Sequence, residues 1–192
     1  MTIFKRGIEA RIADVLFQNR MVSILGPRQS GKTTLAKNLS DFFDPSKITA
    51  VYGDDIHKWE RKDENWNTYT HLNPMGNRIN LNYKQIKQLK KGYTVKRSHY
   101  DHNTGKFTQP LKIKPKDIII SEGLHTFFIN ESNSIYEIKV YMDPDPSLRI
   151  FWKLKRDIKS RGYSKKDVMK KIKEREKDAE KAARPPARSR PR

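Results

Sequence analysis

The sequence contains no cysteine, which removes a disulfide framework, a thiol nucleophile and any cysteine-based zinc site from consideration. It also lacks a long hydrophobic run. No stretch approaches the roughly 18 apolar residues that cross a bilayer, and no charged, apolar and small-residue succession opens the chain as a secretion signal would. A cytoplasmic protein without a membrane partner is the expectation. Apolar residues are thin overall, at 35% of 192 positions, although a strongly polar C-terminal third dilutes that share. The length suits one domain with a real core. Acidic side chains are scarce too: 22 against 41 basic ones, a formal charge of +19. Positions 151 to 192 hold 17 basic and 6 acidic residues, so +11 of the excess lies there. Such a surface attracts polyanions, nucleic acid and anionic lipid included, or is the solvated face of lysine-rich helices. No basic region is backed by aromatic residues spaced as a base-stacking platform.

The apolar residues that are present fall into alternating patterns. Ile8, Ile12, Val15 and Leu16 recur at helical spacing within 6–19. MVSIL (21–25) and ITAVY (48–52) read as buried strands, with a helix between them carrying Leu35, Leu39 and Phe42 on one face. The polar stretch 54–80 reads as a functional surface segment. A helix over 81–92 ends at Gly92, and two short strands surround the NTG turn at 103–105. DIIIS (117–121) and IYEIKVYMD (135–143) are the third and fourth main strands. Ser147 starts a helix running to Arg161, and a charged helix covers 164–181. Strands alternating with helices predict an α/β fold whose mainly parallel sheet is sandwiched by helices. Residues 1–181 form the domain. The Ala-, Pro- and Arg-rich tail 182–192 is different material, read as disordered and as an expression scar or read-through.

One short motif carries chemistry outright. Gly26, Pro27, Arg28, Gln29, Ser30, Gly31, Lys32, Thr33 and Thr34 contain G-x-x-x-x-G-K-T between an apolar strand and a helix. The glycines let backbone N–H groups face phosphate oxygens, backed by the helix dipole. Lys32 would span the β- and γ-phosphates and Thr33 would ligate Mg²⁺. ATP and Mg²⁺ are therefore the expected cofactors, in a P-loop NTPase fold of nucleoside/nucleotide-kinase-like type. The motif is silent on whether the phosphoryl group goes to water or to a second substrate. GPRQ-x-GKTTLA also resembles a group of bacterial and archaeal P-loop ATPases, which keeps an ATPase or binding module acting on protein or nucleic acid as an alternative.

GDDIHKWER (53–61) follows the second strand, and strand C-termini surround the ligand in such sheets. A carboxylate there can take a hydroxyl proton. The succession GDDIH…R, LNP, the helix LNYKQIKQLKKG, YDHNTG, EGLH and K-x-x-R-D-x-x-x-R-G, over about 22–181, resembles the phosphoribulokinase/uridine kinase family. It is closer to the plant and cyanobacterial phosphoribulokinase type. The His-Pro-x-x-Phe-Asp segment of uridine kinases is missing, as are the cysteines of a thiol switch, and the match ends near EREKDAEK, where the family usually continues into further strands. The resemblance implies that Asp54 is the catalytic base and that His57 and Arg61 face the acceptor. It implies that Tyr100 and His102 close over the sugar, and that Glu122 lies near metal and phosphates. Lys153, Arg156, Asp157 and Arg161 would serve the helix and lid that hold triphosphate and acceptor phosphate; His125 of EGLH has a weaker claim. It further implies a kinase acting on a hydroxyl of a sugar or sugar phosphate, with a nucleoside as the alternative acceptor, and a dimer.

Overall fold

The computed structural model describes residues 12, 20–27, 29–69, 72–170 and 172–173, with only the backbone course given at 67, 133, 160 and 161. Apart from Ile12, the expected helix over 6–19 lies outside these residues. So do Arg28, the end of the last helix and the tail.

In chain order the elements are β1 (Met21–Leu25), α1 (Lys32–Phe42), β2 (Ile48–Tyr52), α2 (Asn65–Thr68), α3 (Ile79–Lys90), β3 (Val95–Arg97), β4 (Tyr100–Asp101), β5 (Lys106–Phe107), β6 (Leu111–Ile113), β7 (Ile118–Gly123), β8 (Ile138–Tyr141) and α4 (Pro146–Arg161). The apolar runs assemble into a four-stranded sheet of order β2-β7-β1-β8, parallel throughout, with Val22 between Ile120 and Ile138. Because side chains alternate along a strand, each strand feeds two cores. Val22, Ile24, Ile118 and Ile120 meet Leu35, Ala36 and Leu39 of α1 on one face. Met21, Val51 and Ile119 meet Ile86 and Leu89 of α3 on the other. Each such aliphatic side chain contributes roughly 1.5–3 kcal/mol by leaving water, enough to fix the register of a sheet buried on both faces.

The helix ends follow local chemistry. α3 closes in a Schellman motif: the Gly92 amide donates to the Leu89 carbonyl and the Tyr93 amide to that of Gln88. α4 begins one residue earlier than expected. Asp145, not Ser147, is its cap, accepting from the Ser147 amide at 2.8 Å, with Pro146 at the first helical position. Its last residue precedes Gly162, which is left-handed at φ 68°. Beyond it, residues 165–170 are helical and Ser164 accepts from the Asp167 amide as their cap.

Between α3 and β7 the structure is richer than the two strands expected. β4 and β5 pair around the NTG turn, and β3 pairs with β6 outside them. The 54–80 segment is irregular, with short 3-10 turns at Gly53–Ile56 and Pro74–Gly76. It is also partly internal: Ile56, His57, Leu72 and Asn77 are buried. Among the described residues no helix is long and apolar enough to cross a membrane.

Candidate active site

The loop leaving β1 folds so tightly that only glycine fits at its start. A methyl group on Gly26 would stand 2.4 Å from the carbonyl oxygen of Met142, just past β8. Gly31, at φ 89°, caps α1. Gln29, at φ 63°, is the one non-glycine residue with positive φ among those described, the kind of strain that concentrates at ligand clamps. No acidic residue sits in the first turn of α1, so nothing there offsets its positive dipole end. The Lys32 ammonium folds back on the loop, donating to the Pro27 carbonyl at 2.8 Å.

The neighbouring strand ends bring in two carboxylates. Glu122, near the end of β7 and 6% exposed, faces the phosphate loop, where the Thr33 hydroxyl donates to it at 3.4 Å. Burial, and after it the negative charge of Asp54, pushes the Glu122 carboxyl up to about 7, while Lys32 and the Thr33 hydroxyl act in the other direction. A buried carboxylate beside a hydroxyl at a phosphate loop is a donor set suited to Mg²⁺, which takes one or two protein ligands and completes its shell with phosphate oxygens and water. Among the described residues no three His, Cys, Asp or Glu gather into a larger cage.

Asp54 follows β2, next to Gly53, and Gly53 is in backbone contact with Gly123: a methyl group on it would lie 2.7 Å from the Gly123 Cα. This contact locks the turn carrying Asp54 to the residue after Glu122. The Asp54 side chain is largely exposed and its Oδ2 lies 3.1 Å from Nε2 of His102. The His102 carbonyl accepts from Arg61 at 2.6 Å, and the Arg61 amide donates to the Gly105 carbonyl at 2.9 Å. Asp54, Arg61, Tyr100 and His102 are thus gathered at the β4–β5 hairpin.

Under this group lies an aromatic layer that the sequence reading did not single out. Trp66 stacks on Tyr100 with ring centroids 5.7 Å apart and packs at 4.4 Å from His57. Phe107 meets the edge of Tyr100, and the Arg78 guanidinium lies over Phe107. His57, expected to face the acceptor, is instead 2% exposed, its Nδ1 near the Trp59 backbone. It supports the site from below.

On α4, Lys153 and Asp157 are both buried, and Arg156 Nε donates to Asp157 at 2.9 Å. Lys153 is therefore no solvent-facing charge. His125 follows β7 and meets the edge of Phe128.

Arg97 also escaped the sequence reading, which sets Asp55 near the phosphate loop but gives it no role. Arg97 had a signal: it follows buried Val95 by two positions, so strand alternation turns it inward. Gly53 and Gly123 each adjoin a motif carboxylate, and that adjacency marked them too.

Comparison with known proteins points the same way as the fold. The model of the phosphoribulokinase/uridine kinase family matches residues 21–189. The phosphoribulokinase of Synechocystis sp. is 31% identical over 158 residues, covering 82% of this chain and 48% of that protein. The uridine kinase of Clostridium novyi is 31% identical over 149 residues, covering 74% of this chain and 70% of the relative. Among solved structures, the phosphoribulokinase from Rhodobacter spheroides superposes with a TM-score of 0.60 at 18% identity, over 80% of this chain and 61% of that one. The chain thus spans a little under half the length of the phosphoribulokinases it matches.

Proposed function

Since the chain belongs to the phosphoribulokinase/uridine kinase family, we propose that it is an ATP- and Mg²⁺-dependent kinase that phosphorylates a hydroxyl of a sugar or sugar phosphate. The observation that carries this reading is the division of labour between two adjoining carboxylates. Glu122 is buried and turned to Thr33 of the phosphate loop, whereas Asp54 is exposed and turned to the hairpin. A carboxylate at the hairpin, apart from the one beside the phosphate loop, is placed to take a proton from an acceptor held there.

Phosphoryl transfer asks mainly for position and positive charge. The loop amides and Lys32 hold the triphosphate, and Thr33 with Glu122 would hold Mg²⁺, which supplies charge neutralisation at the β- and γ-oxygens. Asp54 takes the proton of the acceptor hydroxyl as the acceptor oxygen bonds to the γ-phosphorus. The bond from that phosphorus to the bridging oxygen breaks, and its electron pair leaves with ADP. His102 orients Asp54 and with Arg61 faces the acceptor, while Tyr100, at 3% exposed, backs them from within as His57 does. Arg156 of α4 adds positive charge at the phosphates. A nucleoside acceptor has one observation in its favour, the aromatic group of Trp66, Tyr100 and Phe107 beside the base.

The test is to incubate the protein with Mg-ATP and sugars, sugar phosphates and nucleosides, following ADP and acceptor mass together. One acceptor gaining a single phosphoryl group, with ADP rising only in its presence, supports the kinase and names its substrate. Asp54→Asn should then lower turnover by roughly 10²–10⁴ while leaving nucleotide affinity nearly intact. ADP release that ignores every acceptor would favour an ATPase.

A further inference from the structure

One buried, many-bonded charge has no part in the reaction just described. Arg97, at the end of β3, is 6% exposed. Its Nη1 donates to Asn82 and to Gln85 of α3, each at 2.9 Å, and its Nη2 to the carbonyl of Tyr52 at the end of β2. Its Nε lies 3.5 Å from Oδ2 of Asp55. Asp55 is equally enclosed, and its Oδ1 accepts from the Tyr100 amide at 2.9 Å and lies 2.9 Å from His99 Nδ1. One guanidinium therefore touches α3, the end of β2 and the catalytic turn. Through Asp55 it also reaches the hairpin that carries Tyr100 and His102.

Burying that charge is costly, and burial pulls the guanidinium below its ordinary value. An apolar side chain of similar volume often serves stability as well or better. What it cannot supply is direction: three nitrogens aimed at α3, at the end of β2 and at Asp55 define how those three elements sit. We infer that Arg97 and Asp55 are a positioning pair, holding the Asp54 turn and the Tyr100–His102 strand in the relative placement that transfer requires. They act through Asp54, not on the substrate. The kinetic side of this inference rests on the kinase reading; the placement side does not.

Arg97→Gln and Asp55→Asn are made singly and combined with Asp54→Asn. Nucleotide affinity, kcat and acceptor KM are measured, together with hydrogen exchange of the Tyr100 amide. The expected result for Arg97→Gln is a nucleotide Kd within about threefold of wild type and a kcat lower by about 30- to 100-fold, the scale of a misplacement near 1 Å. The Tyr100 amide should exchange at least about tenfold faster, with the α1 amides unchanged. On top of Asp54→Asn, Arg97→Gln should cost less than about a further threefold, because the residue it positions is already lost. A full second loss in the double variant, or unchanged Tyr100 exchange, overturns the inference. Should Arg97→Gln not fold, Asp55→Asn decides by the same cycle. If wild type transfers to no acceptor, or Asp54→Asn keeps full turnover, the kinase reading fails, and the exchange result alone decides whether the pair holds the hairpin.

Discussion

Replacing Gly53 with alanine puts the close approach of β2 and β7 to a direct test. The added methyl would lie 2.7 Å from the Gly123 Cα and 3.0 Å from the Glu122 carbonyl oxygen. Ordinary carbon–carbon contacts begin near 3.5 Å, so the strand ends must part by roughly 0.8 Å; both neighbours are backbone, and no flexible side chain can yield in their place. Overpacking of this kind costs about 1–3 kcal/mol. The larger consequence is kinetic, because the displaced turn carries Asp54. A shift approaching 1 Å at the base corresponds to a fall in kcat of up to about 10²-fold, while nucleotide affinity, set by the loop on β1, changes little. Thermal denaturation, nucleotide titration and steady-state kinetics read the three quantities. Gly92→Ala is the control: that glycine is left-handed at φ 90° with nothing within 4 Å of an added methyl, so it should cost about 1 kcal/mol of stability and leave kcat alone. If Gly53→Ala kept kcat within about threefold of wild type, the close approach would not be what sets the base.

Two further outcomes are expected. Burial holds the His57 imidazole below its ordinary value of 6.5. The unfolded chain thus takes up the proton first as pH falls, and stability declines from pH 6.5 down through the folded value; denaturation midpoints in His57→Phe, which has no such proton, should fall less over that range, and parallel slopes would refute the assignment. Arg61→Gln should raise KM for a phosphate-bearing acceptor by more than about tenfold while sparing an unphosphorylated nucleoside. An equal loss on both acceptors would mean that Arg61 serves only to hold the His102 carbonyl.

The parallel sheet was legible because MVSIL and ITAVY are nearly unbroken apolar runs, and in such a sheet both faces are buried, so the pattern needs no partner to be read. The phosphate loop was legible because its spacing is enforced by backbone geometry. The Schellman end of α3 was visible in Gly92 alone. Other features depend on which distant segments meet. β6 is three residues whose strand character comes from pairing with β3, and Trp66 counts because Tyr100 stacks on it. Arg97 looks like one more surface charge in a lysine-rich chain until Asn82, Gln85 and Asp55 surround it. The start of α4 at Pro146 and not Ser147 has a local cause: Asp145 is a good cap, and Pro146 favours the first helical position. The role of each residue in transfer is a matter of substrate, and the acceptor leaves no mark in spacing.

The strand order has a metrical consequence. Asp54 follows β2, Glu122 is on β7 and the phosphate loop follows β1, so Asp54 and the loop stand on strands two places apart. Interstrand spacing is close to 4.8 Å, which makes the sheet a ruler of roughly 9.6 Å laid between the Asp54 turn and the phosphate loop. Substitutions in the surrounding loops can change what is held at either end. The interval itself is written in backbone hydrogen bonds, and only the middle strand, β7, can alter both ends at once.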